Sequence, residues 1–329
     1  MTLTLSVIVP VFNEQQVLPL LFARLYAAVD QLGRPYEILF VDDGSRDRSV
    51  SLLREQFQRR PECTRLVLFA HNAGQHMAIL AGFERARGTY LVTLDSDLQN
   101  PPEEIGRLLA ALEQGHDYVG TVRAVRQDTW WRKAASRGLN IVRERTTHIR
   151  MTDQGCMLRG YDRTVVDAVN RCSEVNTFVP ALAYTFARRP IEITVRHDPR
   201  AAGESTYSLY RLVRLNFDLM TGFSLAPLQV FTMTGFFIAL LSLAFVVYLA
   251  LRRLIMGPEA EGLFTLFGIA FFLIGVTLLG LGIVGEYVGR IYQQVRQRPR
   301  FVIAAVIEQP QDPGVAPGSR IAASAGRRE

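Results

Sequence analysis

At 329 residues and 49% hydrophobic, the chain has room for one large domain and a further, strongly apolar part. Its net charge of +6 is carried by arginine, since Lys133 is the only lysine among 37 basic residues. That skew reads as compositional bias and makes no case for nucleic acid. An anionic membrane surface suits it better.

Thr4–Val11 reads as a strand. With no basic leader and only a short β-branched apolar stretch, Met1–Val11 is not a signal peptide, so the N-terminal part is expected in the cytoplasm. Val17, Leu18, Leu21, Leu25 and Ala28 recur at helical spacing and predict a helix over Glu14–Gln31. Strands follow at Tyr36–Val41, Thr64–Phe69, Tyr90–Leu94 and Tyr118–Val122. Helices separate them at Arg48–Arg59, Gln75–Ala86 and Glu103–Glu113, the last opened by Pro101-Pro102. Short apolar strands alternating with helices imply an α/β fold with a mainly parallel sheet.

From Leu219 to Leu251, and again from Gly262 to Gly285, there is no charged residue. Each run exceeds the roughly 20 apolar residues that cross a bilayer. Arg211 and Arg214 precede the first run; Arg290, Arg296, Arg298 and Arg300 follow the second. Both flanks are therefore expected on the cytoplasmic side, although Arg252 and Arg253 lie in the outer loop. Tyr207–Met220 places Leu209, Leu212, Val213, Phe217 and Met220 near one face, the pattern of an interfacial amphipathic helix. The expected organisation is a catalytic domain over 1–205, an interfacial helix over 206–222 and transmembrane helices over 225–251 and 262–285. A cytoplasmic juxtamembrane segment over 286–306 and a disordered tail over 307–329 complete it. Cys63, Cys156 and Cys172 show neither metal nor disulfide spacing, which suits a reducing compartment.

Polar clusters follow three of the predicted strands: Asn13-Glu14, Asp42-Asp43-Gly44-Ser45 and Asp95-Ser96-Asp97. In a parallel sheet these converge on one edge, outside the carboxyl ends of the strands, where ligands bind. Two carboxylates one residue apart can hold a hard divalent cation, which takes oxygen ligands and shares its shell with substrate phosphates. The first strand lacks the glycine pattern of a dinucleotide fold, and no P-loop occurs. A metal-bound diphosphate remains.

The tracts Val9-Pro10-Val11-Phe12-Asn13-Glu14, Val41-Asp42-Asp43-Gly44-Ser45 and Asp95-Ser96-Asp97-Leu98-Gln99 resemble the signatures of family 2 glycosyltransferases with the GT-A fold. The apolar spans and Arg200-Ala-Ala-Gly-Glu-Ser-Thr-Tyr207 resemble the polyprenyl-phosphate branch. Further tracts, among them Asn72-Ala-Gly-Gln-His76, Gly155-Cys-Met-Leu-Arg159 and Gly285-Glu-Tyr-Val-Gly-Arg-Ile-Tyr292, are similar to members that use a formamido-arabinose donor in lipid A modification. The resemblance covers about residues 3 to 303.

The resemblance implies roles. Pro10, Phe12, Glu14, Val41 and Asp43 would hold uridine, Asp43 accepting from the uracil imide. Asp95 and Asp97 would flank Mg²⁺ or Mn²⁺ on the diphosphate, with Ser96 and Gln99 beside them. Arg200 would contact the nucleotide diphosphate. Arg123, Arg137 and Arg132 would face the acceptor phosphate, and Asp153 would sit near the reacting centre. Thr206 stands where relatives usually carry lysine. The implied partners are a UDP-sugar, undecaprenyl phosphate, the bacterial inner membrane and further copies of the chain, as in a tetramer. Catalytic residues do not choose the sugar, so transfer of glucose from UDP-glucose stays open, as does a non-catalytic membrane scaffold. A phosphate monoester has a second pKa of about 6 and is largely a dianion at neutral pH, so no strong base is expected.

Overall fold

The computed structural model describes residues 3–123, 149, 151–153, 155–173, 178–197, 221, 225–256, 263–296 and 298–309. The expectations placed on Arg132, Arg137, Arg200, Thr206 and most of the interfacial helix lie outside these residues, as does the chain from 310 onward.

Eight strands form one sheet in the order β7-β5-β6-β4-β1-β2-β3-β8. The strands are β1 (Leu5–Val11), β2 (Tyr36–Asp42), β3 (Thr64–Phe69), β4 (Tyr90–Thr93), β5 (Tyr118–Arg123), β6 (Arg159–Asp162), β7 (Pro190–Val195) and β8 (Ile303–Ile307). The pairs β1–β2, β1–β4, β2–β3 and β5–β7 are parallel. β6 runs antiparallel between β4 and β5, and β8 antiparallel along β3.

The central strands are buried on both faces, which is why they read as continuous apolar runs. Helices α1 (Leu18–Asp30), α2 (Ser49–Arg59) and α4 (Ile105–Glu113) cover one face. There Leu18, Leu21, Leu25 and Leu108 pack with Val7, Val9, Phe40 and Val92. Helices α3 (Gln75–Arg85), α5 (Arg163–Arg171) and α6 (Val179–Phe186) cover the other. There Ile79, Leu80, Phe83 and Val166 meet Ile8, Leu39, Val67 and Leu91. Odd residues of β1 thus face one layer and Ile8 the other, as a strand's period of two requires. Each such side chain contributes about 1.5–3 kcal/mol by leaving water. Helix α3 lies close on β1 because Gly82 has no side chain; a Cβ there would come 2.5 Å from Ile8 Cγ2.

Two long helices follow, α7 (Ala226–Met256) and α8 (Leu263–Val295). Large apolar side chains such as Phe236, Phe237, Leu241, Phe271, Leu279 and Val288 stand exposed along them. Among the described residues, one segment, Ile269–Val295, is long and apolar enough to cross a bilayer. A shorter apolar stretch covers Pro227–Ile238.

The C-terminal reading needs correction. Helix α8 runs on past Gly285, with Arg290 paired to Glu286 at i,i+4 and 2.9 Å, which supports the helix through its first charges. The expected juxtamembrane stretch then turns into β8. Residues 307–309 are no tail: Ile307 ends β8, and Glu308 meets Arg65 at 2.7 Å and Arg87 at 2.8 Å. Pairing with β3 satisfies that strand's outer backbone groups, a gain that local composition does not announce.

Candidate active site

The parallel register brings three loops to one edge. Val11 pairs with Asp42 across β1–β2, and Ile8 with Thr93 across β1–β4, so Phe12, Asp43 and Asp95 leave neighbouring strands on the same side. The crossovers diverge here, with β2 on one side of β1 and β4 on the other, the point at which open α/β sheets receive their ligands. β6 runs antiparallel to both β4 and β5, so β5 points the same way as β4 and Arg123 ends at this edge too.

The first two loops are tied together by their own polar groups. The Asn13 amide donates to Ser45 Oγ at 2.9 Å, and the Arg46 amide returns a bond to Asn13 Oδ1 at 2.9 Å. The Glu14 amide donates to Ser49 Oγ at 2.9 Å. Asn13 adopts φ 55°, a region that asparagine tolerates better than most side chains. Phe12, the expected uridine neighbour, is 45% exposed, whereas Pro10 and Val41 are buried in the strands. Gly44 turns at φ 73°, and a Cβ there would meet His71 C at 2.7 Å. Only glycine allows this approach of the second loop to the chain before α3.

Asp43 bridges the same approach. Its Oδ1 accepts from the Ala73 amide at 2.6 Å and its Oδ2 from the Gly74 amide at 2.9 Å. Burial nonetheless raises its pKa. Each carboxylate oxygen still has a second lone pair, so Asp43 can position the loop and accept from a ligand at once. Asp42 is more deeply placed: Oδ2 accepts from the Ser45 amide at 3.0 Å, while Oδ1 is buried with no partner among the described residues. Burial raises its pKa as well.

After β4, Asp95, Asp97 and Gln99 are half-buried, while Ser96, Leu98 and Asn100 point into the protein. Leu98 adopts φ 60° and is 2% exposed, anchoring the turn in the core. Asp95 accepts from Gln75 Nε2 at 2.5 Å and from Asn100 Nδ2 at 3.4 Å. Asp97 Oδ1 accepts from the Gln99 amide at 3.1 Å. No cluster of three or more His, Cys, Asp or Glu suited to a metal occurs among the described residues. Two hard-oxygen donors at this edge match the partial shell that Mg²⁺ or Mn²⁺ uses when phosphates complete it.

Arg123 and Asp153, which the sequence reading assigned separate tasks, are joined. Arg123 Nε donates to Asp153 Oδ2 at 2.6 Å and Nη2 to Oδ1 at 2.9 Å. The Gly155 amide donates to Asp153 Oδ1 at 3.1 Å. Behind them Arg159, fully buried, donates to the Asp153 carbonyl at 2.7 Å and to Tyr118 Oη at 2.6 Å. Gln75, Asn100 and Arg159 are the supporting residues that sequence reasoning missed as such. Gln75 and Arg159 lie in tracts it had singled out, but Asp95 lies 20 residues from Gln75 and Tyr118 41 from Arg159.

Residues 6–169 match the family model described as "Glycosyl transferase family 2". Over 308 residues the chain is 50% identical to the "Undecaprenyl-phosphate 4-deoxy-4-formamido-L-arabinose transferase" of Edwardsiella ictaluri, covering 93% of this chain and 95% of that one. It is 47% identical over 310 residues to the protein of that name from Aeromonas hydrophila, covering 94% and 95%. The chain belongs to this family of glycosyltransferases. Among solved structures, glucosyl-3-phosphoglycerate synthase from Mycobacterium tuberculosis, in complex with Mn²⁺, UDP and glucosyl-3-phosphoglycerate, aligns with TM-score 0.48 at 15% identity, covering 66% of this chain and 77% of that one.

Proposed function

We propose that the protein transfers 4-deoxy-4-formamido-L-arabinose from its UDP donor to undecaprenyl phosphate, with inversion, as a step of lipid A modification that confers resistance to cationic antimicrobial peptides. The observation that carries this is the convergence of the Phe12, Asp43 and Asp95 loops on one sheet edge, in a chain half identical to relatives bearing that name. Pro10, Phe12, Glu14, Val41 and Asp43 hold the uridine; Asp95, Ser96, Asp97 and Gln99 lie along the diphosphate. Asp95 and Asp97 would hold Mg²⁺ or Mn²⁺, which supplies charge neutralisation on the departing diphosphate.

The acceptor arrives as a phosphate dianion. One of its oxygens forms the bond to the anomeric carbon as the bond from that carbon to the β-phosphate oxygen of UDP breaks. The electron pair leaves with UDP, and no proton need be removed. Arg123 is the cation that receives the acceptor phosphate. Asp153 fixes the plane of that guanidinium and acts as its orienting group rather than as a base. Arg132, Arg137 and Arg200 add positive charge for the acceptor and diphosphate.

The long apolar helices support a seat in the bacterial inner membrane. Both spans cross it, the catalytic domain is cytoplasmic, the interfacial helix delivers the lipid phosphate to the sheet edge, and copies associate through the spans. Asp97→Ala tests the proposal: UDP release from the donor in the presence of undecaprenyl phosphate should vanish, together with its dependence on added Mg²⁺ or Mn²⁺. Turnover that survives this change would contradict the assigned seat.

A further inference from the structure

Away from the catalytic edge, a cavity of about 820 Å³ lies between the last turns of α8, the turn at residues 298–301 and the C-terminal end of α5. Three guanidinium groups line it, those of Arg171, Arg298 and Arg300. None is in an ion pair among the described residues. Arg300 spends one N–H on the Cys172 carbonyl. The acidic residue of the lining, Glu84, is held by Arg85 at 3.3 Å. Arginine forks of this kind match phosphate oxygens.

A second feature is independent of charge. Asn170, also in the lining, donates from Nδ2 to the Phe83 carbonyl at 3.2 Å, which fixes the orientation of its amide. Its Oδ1 is buried with no partner among the described residues. That oxygen is closed off from the cavity, so Asn170 serves as a fixed part of its wall and offers a ligand no acceptor. Ile291 and Val295 make a third wall that continues the apolar surface of α8.

We propose that this crevice binds the headgroup of an anionic glycerophospholipid. The phosphodiester lies against Arg171, Arg298 and Arg300, and the acyl chains run along α8 past Ile291 and Val295. Basic pockets at the cytoplasmic end of membrane helices bind such headgroups on electrostatic grounds. The inference rests on the membrane placement of α8 given above, and not on the transfer reaction. Bound there, the lipid would tie α8 to α5 and so fix the catalytic domain against the bilayer.

The test is thermal unfolding of the full chain in detergent micelles doped with phosphatidylglycerol, with phosphatidylcholine, or with inorganic phosphate alone. Phosphatidylglycerol at saturation should raise Tm by about 5 °C over phosphatidylcholine. The R171Q/R298Q double variant should lose that rise. R54Q/R59Q, with the same change of charge on α2, should keep it, and inorganic phosphate should give none. An equal rise with phosphatidylcholine, a rise retained in R171Q/R298Q, or the same rise with inorganic phosphate would overturn the proposal. UDP release measured on the same samples reports separately on the transfer reaction: its failure beside an intact lipid shift would count against that reaction alone.

Discussion

Arg123 grips both carboxylate oxygens of Asp153, at 2.6 and 2.9 Å, across 30 residues of sequence. Asp153 is 3% exposed and the Arg123 side chain 25%, so the carboxylate lies within the protein and the cation faces outward. An orienting carboxylate can be replaced by an amide at moderate loss, whereas a general base cannot. Asp153→Asn should therefore keep measurable UDP release, lowered about 10–100-fold through misplacement of the guanidinium. The loss should grow as undecaprenyl phosphate is made limiting. Complete loss with donor binding intact would assign proton transfer to Asp153.

Asp42 has an ionised form that the fold disfavours, since burial raises its pKa and Oδ1 lacks a partner among the described residues. A carboxyl whose pKa is raised on folding contributes most below its unfolded value, near 3.8, and loses that contribution as pH climbs through the folded value. Asp42→Asn should raise Tm at pH 7 by about 2–4 °C, the effect of about 1 kcal/mol in a chain of this size. The difference from the parent should close below about pH 4. Thermal melts at both pH values check it.

His76 works in the opposite sense. Burial beside Phe178, with Arg159 adding positive charge, lowers its pKa from 6.5 to about 4. The unfolded chain then binds the proton more readily, so stability declines as pH falls from about 6.5 toward about 4. His76→Gln should flatten that decline. An unchanged slope in the pH dependence of Tm would show that the imidazole does not titrate on unfolding.

Glu308 closes a network in which Arg65 also holds Glu37 at 2.8 Å. Glu308→Ala should cost about 1 kcal/mol, allowing for the partial exposure of Glu308, and lower Tm by about 2–4 °C. Truncation before Ile303 should do more, because it bares the edge of β3 to pairing with other chains. Light scattering on the truncated chain should show association where Glu308→Ala shows none.

These relationships differ in how far the sequence reveals them. β1 to β5 were legible because their apolar runs and helix-spaced neighbours are local, and the polar ends of β1, β2 and β4 could be seen to share one sheet edge. β6 was not legible: Arg159-Gly-Tyr-Asp162 is short and polar, and Arg159 is buried only because Tyr118 and the Asp153 carbonyl receive it. β8 was read as part of a juxtamembrane stretch because its partner β3 lies more than 230 residues earlier, as the separation of 243 between Arg65 and Glu308 illustrates. The acidic loop residues could be named from their spacing. That Asp43 also holds the Ala73 and Gly74 amides, and that Arg123 is bound to Asp153, are facts of tertiary contact with no local trace.

The central claim is tested most directly by the mass of the lipid product. The purified full chain is incubated with undecaprenyl phosphate, Mg²⁺ or Mn²⁺, and in parallel UDP-4-deoxy-4-formamido-L-arabinose, UDP-glucose and other UDP-sugars. The account predicts undecaprenyl phosphate heavier by the formamido-arabinosyl group, and no glucosyl product. A product from UDP-glucose alone, or no lipid product from any donor, would contradict it.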